Sequence, residues 1–303
     1  MSPFERAVSR SDRIGDIDLM RTLKPLAFFA SDPTVVLAPG LFERATQTPE
    51  GAGVIRVEWT GDTAESTASG PGAEYLLDHV RDLLGLSDDV TSFQPEHPVV
   101  AKMWHQFNGL RVCASHTLWH DLAWLVPGQR VATVDAARQW AKLVRAYGHV
   151  VPGRAELHVP PAAERIAQLA YHELHSCELE RKRATALIAA ARQAPRFERG
   201  TTDAPDLVRR RLETIPGIGP WMSTNVVTMT CGAADEVVLG DYGQPSYVSW
   251  ALAGERRGDD ERMLELLEPF RPHRWRVIRL IMSAGIAPPR HGPRRRNPRI
   301  DRL

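Results

Sequence analysis

Residues 212–221 read LETIPGIGPW, and this stretch decides the predicted fold. Residues 206–214 contain strong helix formers and three consecutive arginines, and residues 221–230 contain no helix breaker. Pro220 suits a first helical turn, because the N–H group that proline lacks would have no partner there. The stretch therefore predicts two helices that are joined by a tight glycine hairpin.

Gly217 and Gly219 determine what this hairpin can bind. Two glycines permit a sharp turn and leave the backbone N–H groups accessible, because no Cβ covers them. The second helix directs the positive end of its dipole at the same place. The hairpin therefore suits a phosphate group, although an ordinary corner between two helices stays open as an alternative.

A carboxylate follows twenty positions after Trp221, in the sequence Leu239-Gly240-Asp241-Tyr242. Together with Pro216-Gly217-Ile218-Gly219 and Trp221, it resembles the helix-hairpin-helix superfamily of DNA glycosylases, and most of all the 3-methyladenine DNA glycosylase II family. The resemblance is sharp from 207 to 252. It implies that Pro216, Gly217, Ile218 and Gly219 bind a DNA backbone phosphate and that Asp241 is the catalytic residue.

The resemblance also implies a reaction and a partner. The expected protein is a monofunctional DNA glycosylase of base excision repair that removes alkylated purines from double-stranded DNA containing damaged bases. Trp221, Tyr242 and Gln129 are the residues expected to bind the substrate nucleotide. In the bifunctional branches, a Schiff-base lysine stands where this chain has Trp221, so lyase activity is not expected. A non-catalytic helix-hairpin-helix protein that binds damaged or structured DNA is the alternative.

The chemistry of base removal explains why these residue types are expected. Cleavage of the C1′–N bond places positive charge on the sugar, which a fixed anion such as Asp241 stabilises in the transition state. Asp241 could equally orient or deprotonate the attacking water, and a plain N-cap role ahead of a helix over 242–253 also stays open. A purine alkylated at N3 or N7 is a cation, which the aromatic rings of Trp221 and Tyr242 would attract. For each of these two residues, a plain role in the core stays open as the alternative.

The loop Leu125-Val126-Pro127-Gly128-Gln129-Arg130-Val131 interrupts the predicted helices. The resemblance implies that an apolar residue two positions before its Gln enters the DNA stack, and Pro127 occupies that position here. Val126, Pro127 and Gln129 stay open as the inserted residue. Pro127, Gly128 and Arg130 are predicted to contact DNA, and a plain turn between helices is the alternative.

The predicted fold class is α+β, with a small sheet-plus-helix domain over 1–95. Apolar runs with near alternation predict strands there, and one helix is predicted over 72–84. The predicted strands cover Leu23–Phe29, Thr34–Leu37, Val54–Trp59 and Thr63–Ser69. Phe42–Gly51 resembles a stretch that the glycosylase family shares, and this domain receives no chemical role.

Residues 96–303 are predicted to form the larger domain. From Val99 onward the apolar period becomes 3.6, and proline and glycine breaks divide the region into about eight or nine helices. An all-α domain of two lobes with a cleft between them, ending in a basic C-terminal segment, is the predicted architecture.

Composition excludes several classes of protein. The 303 residues carry a formal net charge of +1 and three widely spaced cysteines, which predicts a reducing cytoplasm rather than a disulfide framework. No apolar run approaches the roughly 18 residues of a membrane span. His116 and His120 are predicted to share a helix face, which makes a zinc hydrolase a third alternative, but no third ligand is evident. We expect a cytoplasmic monomer without cofactor or metal.

Overall fold

The structure of the protein, a computed structural model, describes residues 4, 6–29 and 31–289. It contains both a sheet and helices, as the predicted α+β class requires. The predicted basic C-terminal segment, residues 290–303, lies outside the described residues.

Five strands form one antiparallel sheet in the order β1-β5-β4-β3-β2. These strands are β1 (Ala7–Arg13), β2 (Val35–Ala38), β3 (Leu41–Thr48), β4 (Gly51–Thr60) and β5 (Thr63–Ser69). The predicted strands at Thr34–Leu37, Val54–Trp59 and Thr63–Ser69 are confirmed. β1 was missed because its sequence, AVSRSDR, is mostly polar, and its residues are mostly exposed at the edge of the sheet.

The predicted strand at Leu23–Phe29 is wrong. Helix α1 (Leu19–Leu23) ends there and a 3-10 helix follows at Lys24–Ala27. The Asp18 carboxylate accepts a hydrogen bond from the Arg21 N–H at 3.0 Å, and Pro25 lies in the first turn of the 3-10 helix. A local cap and a helix-compatible proline therefore outweigh the apolar run, which alone does not distinguish a strand from a helix.

Twelve further α-helices follow among the described residues. The predicted helix over 72–84 is divided at His79 into two short helices, and the region from residue 98 onward has ten rather than eight or nine. The helices are α2 (Ala73–Asp78), α3 (Val80–Leu83), α4 (Pro98–Gln106), α5 (Leu118–Leu125), α6 (Thr133–Tyr147), α7 (Ala163–Ala167), α8 (Arg181–Phe197), α9 (Pro205–Glu213), α10 (Pro220–Thr230), α11 (Gln244–Ala253), α12 (Asp260–Leu267) and α13 (Arg274–Ser283).

The helical half is not entirely α-helical, which corrects the all-α prediction. Strands β6 (His149–Val151) and β7 (Arg154–Val159) form an antiparallel hairpin closed by Pro152 and Gly153. Gly153 has φ +78, a left-handed conformation that glycine adopts without strain. The Pro-Gly pair was interpreted as a helix break, whereas it is a turn between strands. Val151, Leu157 and Val159 pack on one face of the five-stranded sheet.

The buried apolar residues form two large clusters. The first, here called the sheet-side core, joins the helix-facing side of the sheet to α5, α6, α8 and α10, and it runs from Ile14 to Ala233. The second, the C-terminal core, joins α4, α11, α12 and α13. Trp221 contacts both clusters, so it lies at the junction between them.

Buried polar groups reinforce the link between sheet and helices. Arg44 of β3 forms an ion pair with Asp121 of α5, with 2.6 Å between Nη2 and Oδ1. The hydroxyls of Thr230 and Ser115 donate to the other Asp121 oxygen, the first at 2.7 Å. The predicted boundary at 95/96 therefore falls between parts that share one core. Among the described residues, no helix has the length and apolar character needed to cross a membrane.

Candidate functional site

The predicted glycine hairpin joins α9 to α10. Ile215 and Ile218 are 1% and 4% exposed and anchor the turn in the sheet-side core, whereas Pro216 and Gly217 are exposed. Two buried isoleucines on either side of an exposed Pro-Gly pair fix the turn and leave its outer backbone accessible. The sequence predicted the turn itself, because the proline and glycines that form it are local.

The two glycines have different structural roles. Gly217 has φ +91, and a Cβ added there would lie 2.6 Å from the Ala186 Cβ of α8. Only glycine fits this position. Gly219 is extended, with φ −108 and ψ −178, and a Cβ there would meet no atom within 4 Å. Within the described part of the chain, neither glycine N–H donates to a protein acceptor, so both donors are available to a ligand.

Asp241 lies beside Trp221, at the positive end of α11. The Trp221 indole Nε1–H donates to Asp241 Oδ2 at 3.1 Å. The backbone N–H groups of Gly243 and Gln244 donate to Oδ1, each at 2.9 Å. The half-buried carboxylate forms no salt bridge with a described residue. It is therefore a fixed anion whose charge is balanced by neutral donors and a helix dipole rather than by a cation.

Of the two aromatic residues predicted near Asp241, the structure brings only Trp221 into contact with it. Trp221 is half-buried between the two cores. Tyr242 is fully exposed and precedes α11, which begins at Gln244 rather than at residue 242. The core interpretation of Tyr242 is therefore wrong, and its side chain is free to meet a ligand.

The loop at 125–131 packs against the hairpin. Gln129 donates its Nε2–H to the Gly217 carbonyl at 3.1 Å, and a Cβ added to Gly128 would lie 4.0 Å from Trp221 Cη2. The loop, the hairpin and Asp241 thus form one continuous surface. Gln129 is the side chain that joins the first two of these elements.

The apolar-wedge prediction for Pro127 does not agree with its burial. Val126 and Pro127 form a buried 3-10 turn with Gly128. The buried Arg183 of α8 donates to the Pro127 carbonyl at 2.8 Å and to Gln139 Oε1 at 2.6 Å, which holds the turn in place. In this conformation neither apolar side chain is available for insertion. Arg130 is the exposed residue at this point of the loop.

Arg183 and Ala186 are contributors that sequence reasoning missed. Arg183 interrupts the apolar face of α8, and a lone arginine in such a face signals a buried partner. Ala186 faces Gly217 because only a small residue permits that approach. Both signals depend on contacts that are distant in sequence, so the hairpin sequence alone could not reveal them.

The predicted histidine pair does not share a helix face. His116 precedes α5 with φ +52 and bonds Asp82 at 2.9 Å, whereas His120 bonds Thr34 and Thr46 at 3.3 and 2.8 Å. Both are buried, and burial lowers the pKa of each. Among the described residues, no group of three or more His, Cys, Asp or Glu is placed to hold a metal ion.

Comparison with solved structures identifies the fold. The 3-methyladenine DNA glycosylase from Archaeoglobus fulgidus superposes with a TM-score of 0.71 at 18% identity, covering 90% of this chain and 98% of that chain. MBOgg1 in complex with a low-affinity DNA ligand gives 0.70 at 17% identity, with 93% and 96% covered. The Clostridium acetobutylicum 8-oxoguanine glycosylase/lyase, in complex with double-stranded DNA, gives 0.67 at 11% identity, with 93% and 98% covered.

These TM-scores establish a shared fold at low sequence identity, so the predicted resemblance is confirmed at the level of fold. No protein-family model matches the sequence, and neither does any curated protein.

Proposed function

We propose that this chain, which has the fold of DNA glycosylases of known structure, is a monofunctional DNA glycosylase. It extrudes an alkylated purine of the 3-methyladenine or 7-methylguanine type from duplex DNA and hydrolyses its N-glycosidic bond. The observation that carries the proposal is the fixed carboxylate of Asp241, which touches Trp221 at 3.1 Å and lacks a salt bridge among the described residues.

The glycine hairpin supports the DNA-binding part of the proposal. The N–H groups of Gly217 and Gly219 have no acceptor among the described residues and lie at the start of α10, where the helix dipole favours a negative charge. A backbone phosphate meets both requirements. Such a contact holds the strand beside the extruded nucleotide without reading its sequence.

Asp241 supports the catalytic part. When the C1′–N bond breaks, its electron pair leaves with the purine, and an N3- or N7-alkylated purine departs as a neutral molecule. The sugar becomes cationic, and the anion of Asp241 stabilises that charge only as it develops. Water then adds to C1′ and loses a proton to Asp241 or to solvent. The reaction leaves an abasic site and needs no cofactor.

Two aromatic residues are available to bind the damaged base. Trp221 contacts the carboxylate directly, and Tyr242 follows Asp241 in the chain with its side chain fully exposed. The electron-rich face of an aromatic ring attracts a cation, which favours an alkylated purine over its neutral parent. The cost of unstacking is also lowest for a damaged base.

The residue at position 221 supports the proposed absence of lyase activity. A Schiff-base mechanism needs a lysine amine at the sugar, and this chain has an indole whose N–H is already bonded to Asp241. We expect the product DNA to stay unbroken until alkali cleaves it at the abasic site, and we expect borohydride to trap no covalent complex. Strand cleavage without alkali would contradict the monofunctional assignment.

The two-lobed arrangement and the domain division belong to the same proposal. The sheet-side core and the C-terminal core meet at Trp221, which supports two lobes with the site between them. We propose a sheet domain over 1–95 and a glycosylase domain over 96–303, acting as a monomer on damaged duplex DNA.

Single-turnover release of free base from methylated duplex DNA tests the proposal. We expect Asp241→Asn to lower the rate by about 10²- to 10³-fold, because the amide cannot supply the anion, while affinity for the duplex is kept. Asp62→Asn is the matched control: its carboxylate is exposed and pairs with Arg13 at the edge of the sheet. Its rate should equal that of the wild type.

A non-catalytic DNA-binding protein is the second candidate, and one observation favours it. The Gly243 and Gln244 N–H groups both bond Asp241, so the carboxylate also serves as a helix cap. If the wild type binds duplex DNA but releases no base from a panel of alkylated, deaminated and oxidised substrates, this second candidate is the correct one.

A further inference from the structure

The loop that carries Asp241 is anchored differently on its two sides. This loop, residues 239–243, is here called the Asp241 loop. On its C-terminal side, two backbone N–H groups at the start of α11 bond the Asp241 carboxylate. On its N-terminal side, Val238 is buried in the C-terminal core, whereas Leu239 and Gly240 are exposed. The two residues that lead into Asp241 therefore lie outside that core.

One hydrogen bond restricts the backbone immediately before Asp241. Gly240 has φ +76, which glycine adopts without strain, and a Cβ added there would meet no atom within 4 Å. Packing therefore leaves this residue free to change its conformation. The Gly240 N–H, however, donates to Asp260 Oδ2 at 2.8 Å. Within the described part of the chain, this is the only hydrogen bond that the backbone of Leu239 and Gly240 forms.

The acceptor of this hydrogen bond is itself held in place. Asp260 is the first residue of α12, where the positive end of the helix dipole favours a carboxylate. Asp259 caps the helix by accepting a hydrogen bond from the Arg262 N–H at 2.9 Å. Gly258 packs closely on α11, because a Cβ added there would lie 2.9 Å from the Pro245 carbonyl oxygen. The start of α12 therefore offers the Asp241 loop a fixed oxygen.

We propose that Asp260 is a positioning residue, whose carboxylate holds the Asp241 loop through the Gly240 N–H and so fixes Asp241 beside Trp221. This inference rests on the proposed function. An anion stabilises the charge that develops on the sugar most effectively when it is already in place, because no reorganisation is then needed during the reaction. A misplacement of about 1 Å can lower a rate by about 10²-fold. Asp260 therefore acts on the reaction through Asp241 rather than on the substrate.

Three variants at the start of α12 separate this hydrogen bond from charge and from helix stability. Asp260→Ala removes the acceptor, and Asp260→Asn keeps an acceptor oxygen but removes the charge. Asp259→Ala is the matched control, because it removes the neighbouring carboxylate and the helix cap but leaves the bond to Gly240 in place. We expect the control to lower the melting temperature at least as much as Asp260→Ala, so lost stability cannot explain a defect that only Asp260→Ala shows.

Single-turnover base release from methylated duplex DNA separates positioning from binding. We expect Asp260→Ala to lower the maximum rate by about 10- to 100-fold. The enzyme concentration that gives half of this rate should change little, because the DNA interface is kept. Asp260→Asn should restore most of the rate, and Asp259→Ala should match the wild type. A wild-type rate in Asp260→Ala would overturn the proposal. So would an Asp260→Asn variant as slow as Asp260→Ala, since the charge rather than the hydrogen bond would then be responsible.

The indole N–H signal of Trp221 in proton–nitrogen correlation spectra reports the position of Asp241 without catalysis, because this N–H donates to Asp241 Oδ2 at 3.1 Å. Trp221→Phe identifies the signal. We expect it to shift in Asp260→Ala and to stay near its wild-type position in Asp260→Asn and Asp259→Ala. An unchanged signal in Asp260→Ala would contradict the proposed anchoring. If the wild type releases no base, the proposed function fails, whereas the spectrum still shows whether Asp260 positions Asp241.

Discussion

Glu198, on the 3-10 turn that follows α8, shows how one partly buried carboxyl can couple stability to pH. Its Oε1 is buried and has no hydrogen-bond partner among the described residues. Burial, and to a smaller extent the nearby charge of Glu164, raise the pKa of this carboxyl to about 7, although a backbone hydrogen bond from Trp119 acts in the opposite direction. Glu198 in turn raises the pKa of Tyr75, although burial is the main cause there.

The sign of the pH effect follows from proton binding. An unfolded glutamate titrates near 4.5, so between about pH 4.5 and 7 the folded chain binds more protons at this site than the unfolded chain. The contribution of Glu198 to the free energy of unfolding is therefore greatest below pH 4.5, and it decreases as the pH rises from about 4.5 through 7.

Glu198→Gln removes this dependence. We expect the variant to be more stable than the wild type at pH 8 by about 1 to 3 kcal/mol, and the difference to vanish near pH 4.5. Urea unfolding from pH 4.5 to 8.5 measures it. Glu156→Gln, at an exposed carboxyl whose pKa Arg154 lowers, is the control and should show no gain at pH 8. A difference that is independent of pH would show that Glu198 does not titrate in this range.

Single residues also show what the sequence could and could not predict about the site. The resemblance assigned Asp241 and Trp221 to one site, and their direct contact is a finding of the structure. The burial of Pro127 was not, because it depends on a hydrogen bond from Arg183, 56 positions away. Local patterns reveal which residues are suited to a reaction, whereas the exposure of a side chain depends on packing between distant elements.

At the scale of the element, the two glycines of the hairpin should have different effects when they are replaced. We expect Gly217 to affect stability and Gly219 to affect DNA binding. Gly217→Ala should destabilise the protein by about 1 to 3 kcal/mol, because the new Cβ meets Ala186 at 2.6 Å and φ is +91. Gly219→Ala should change stability little, since the space around it is open and φ is −108. Thermal melting of the two variants tests this contrast.

Gly219→Ala should instead weaken binding to duplex DNA of every sequence, because the methyl group stands where a phosphate would approach the N–H groups. Fluorescence anisotropy with two unrelated duplexes measures the loss, and the slope against salt concentration should also decrease. Equal affinity for wild type and Gly219→Ala would remove the hairpin from the proposed DNA interface, whatever the melting temperatures show.

Elements with a local signal were predicted well, and those that depend on context were not. α9 and α10 begin or end within one residue of the prediction, because proline and glycine mark their ends. β6 and β7 were missed because strands of three and six residues are too short to show a clear alternation of apolar and polar residues. Pairing with each other and packing against β3 and β4 stabilise them. The 3-10 helix at Lys24–Ala27 was mistaken for a strand because an apolar run gives no period.

At the scale of the whole molecule, the sheet shares buried contacts with the later part of the chain on both faces, with helices on one face and with the β6–β7 hairpin on the other. Even-numbered residues of β3, including Phe42 and Arg44, face α5, and Ala45 on the other face packs near the β6–β7 hairpin. A core that crosses the proposed boundary predicts cooperative unfolding of the described chain, even if the two domains differ in function.

The Arg44–Asp121 pair offers a test of that cooperativity, because one partner lies in the sheet and the other in α5. Asp121→Asn leaves a buried guanidinium without its counter-ion, which should lower the free energy of unfolding by about 3 to 5 kcal/mol. Asp62→Asn, which breaks an exposed pair with Arg13, should leave the free energy of unfolding almost unchanged, because solvent screens that pair. We expect far-UV circular dichroism and tryptophan fluorescence to give the same urea midpoint in each protein, because sheet and helices unfold together. Separate midpoints, with Asp121→Asn shifting only one of them, would mean that the sheet and the helical part unfold independently in spite of their shared core.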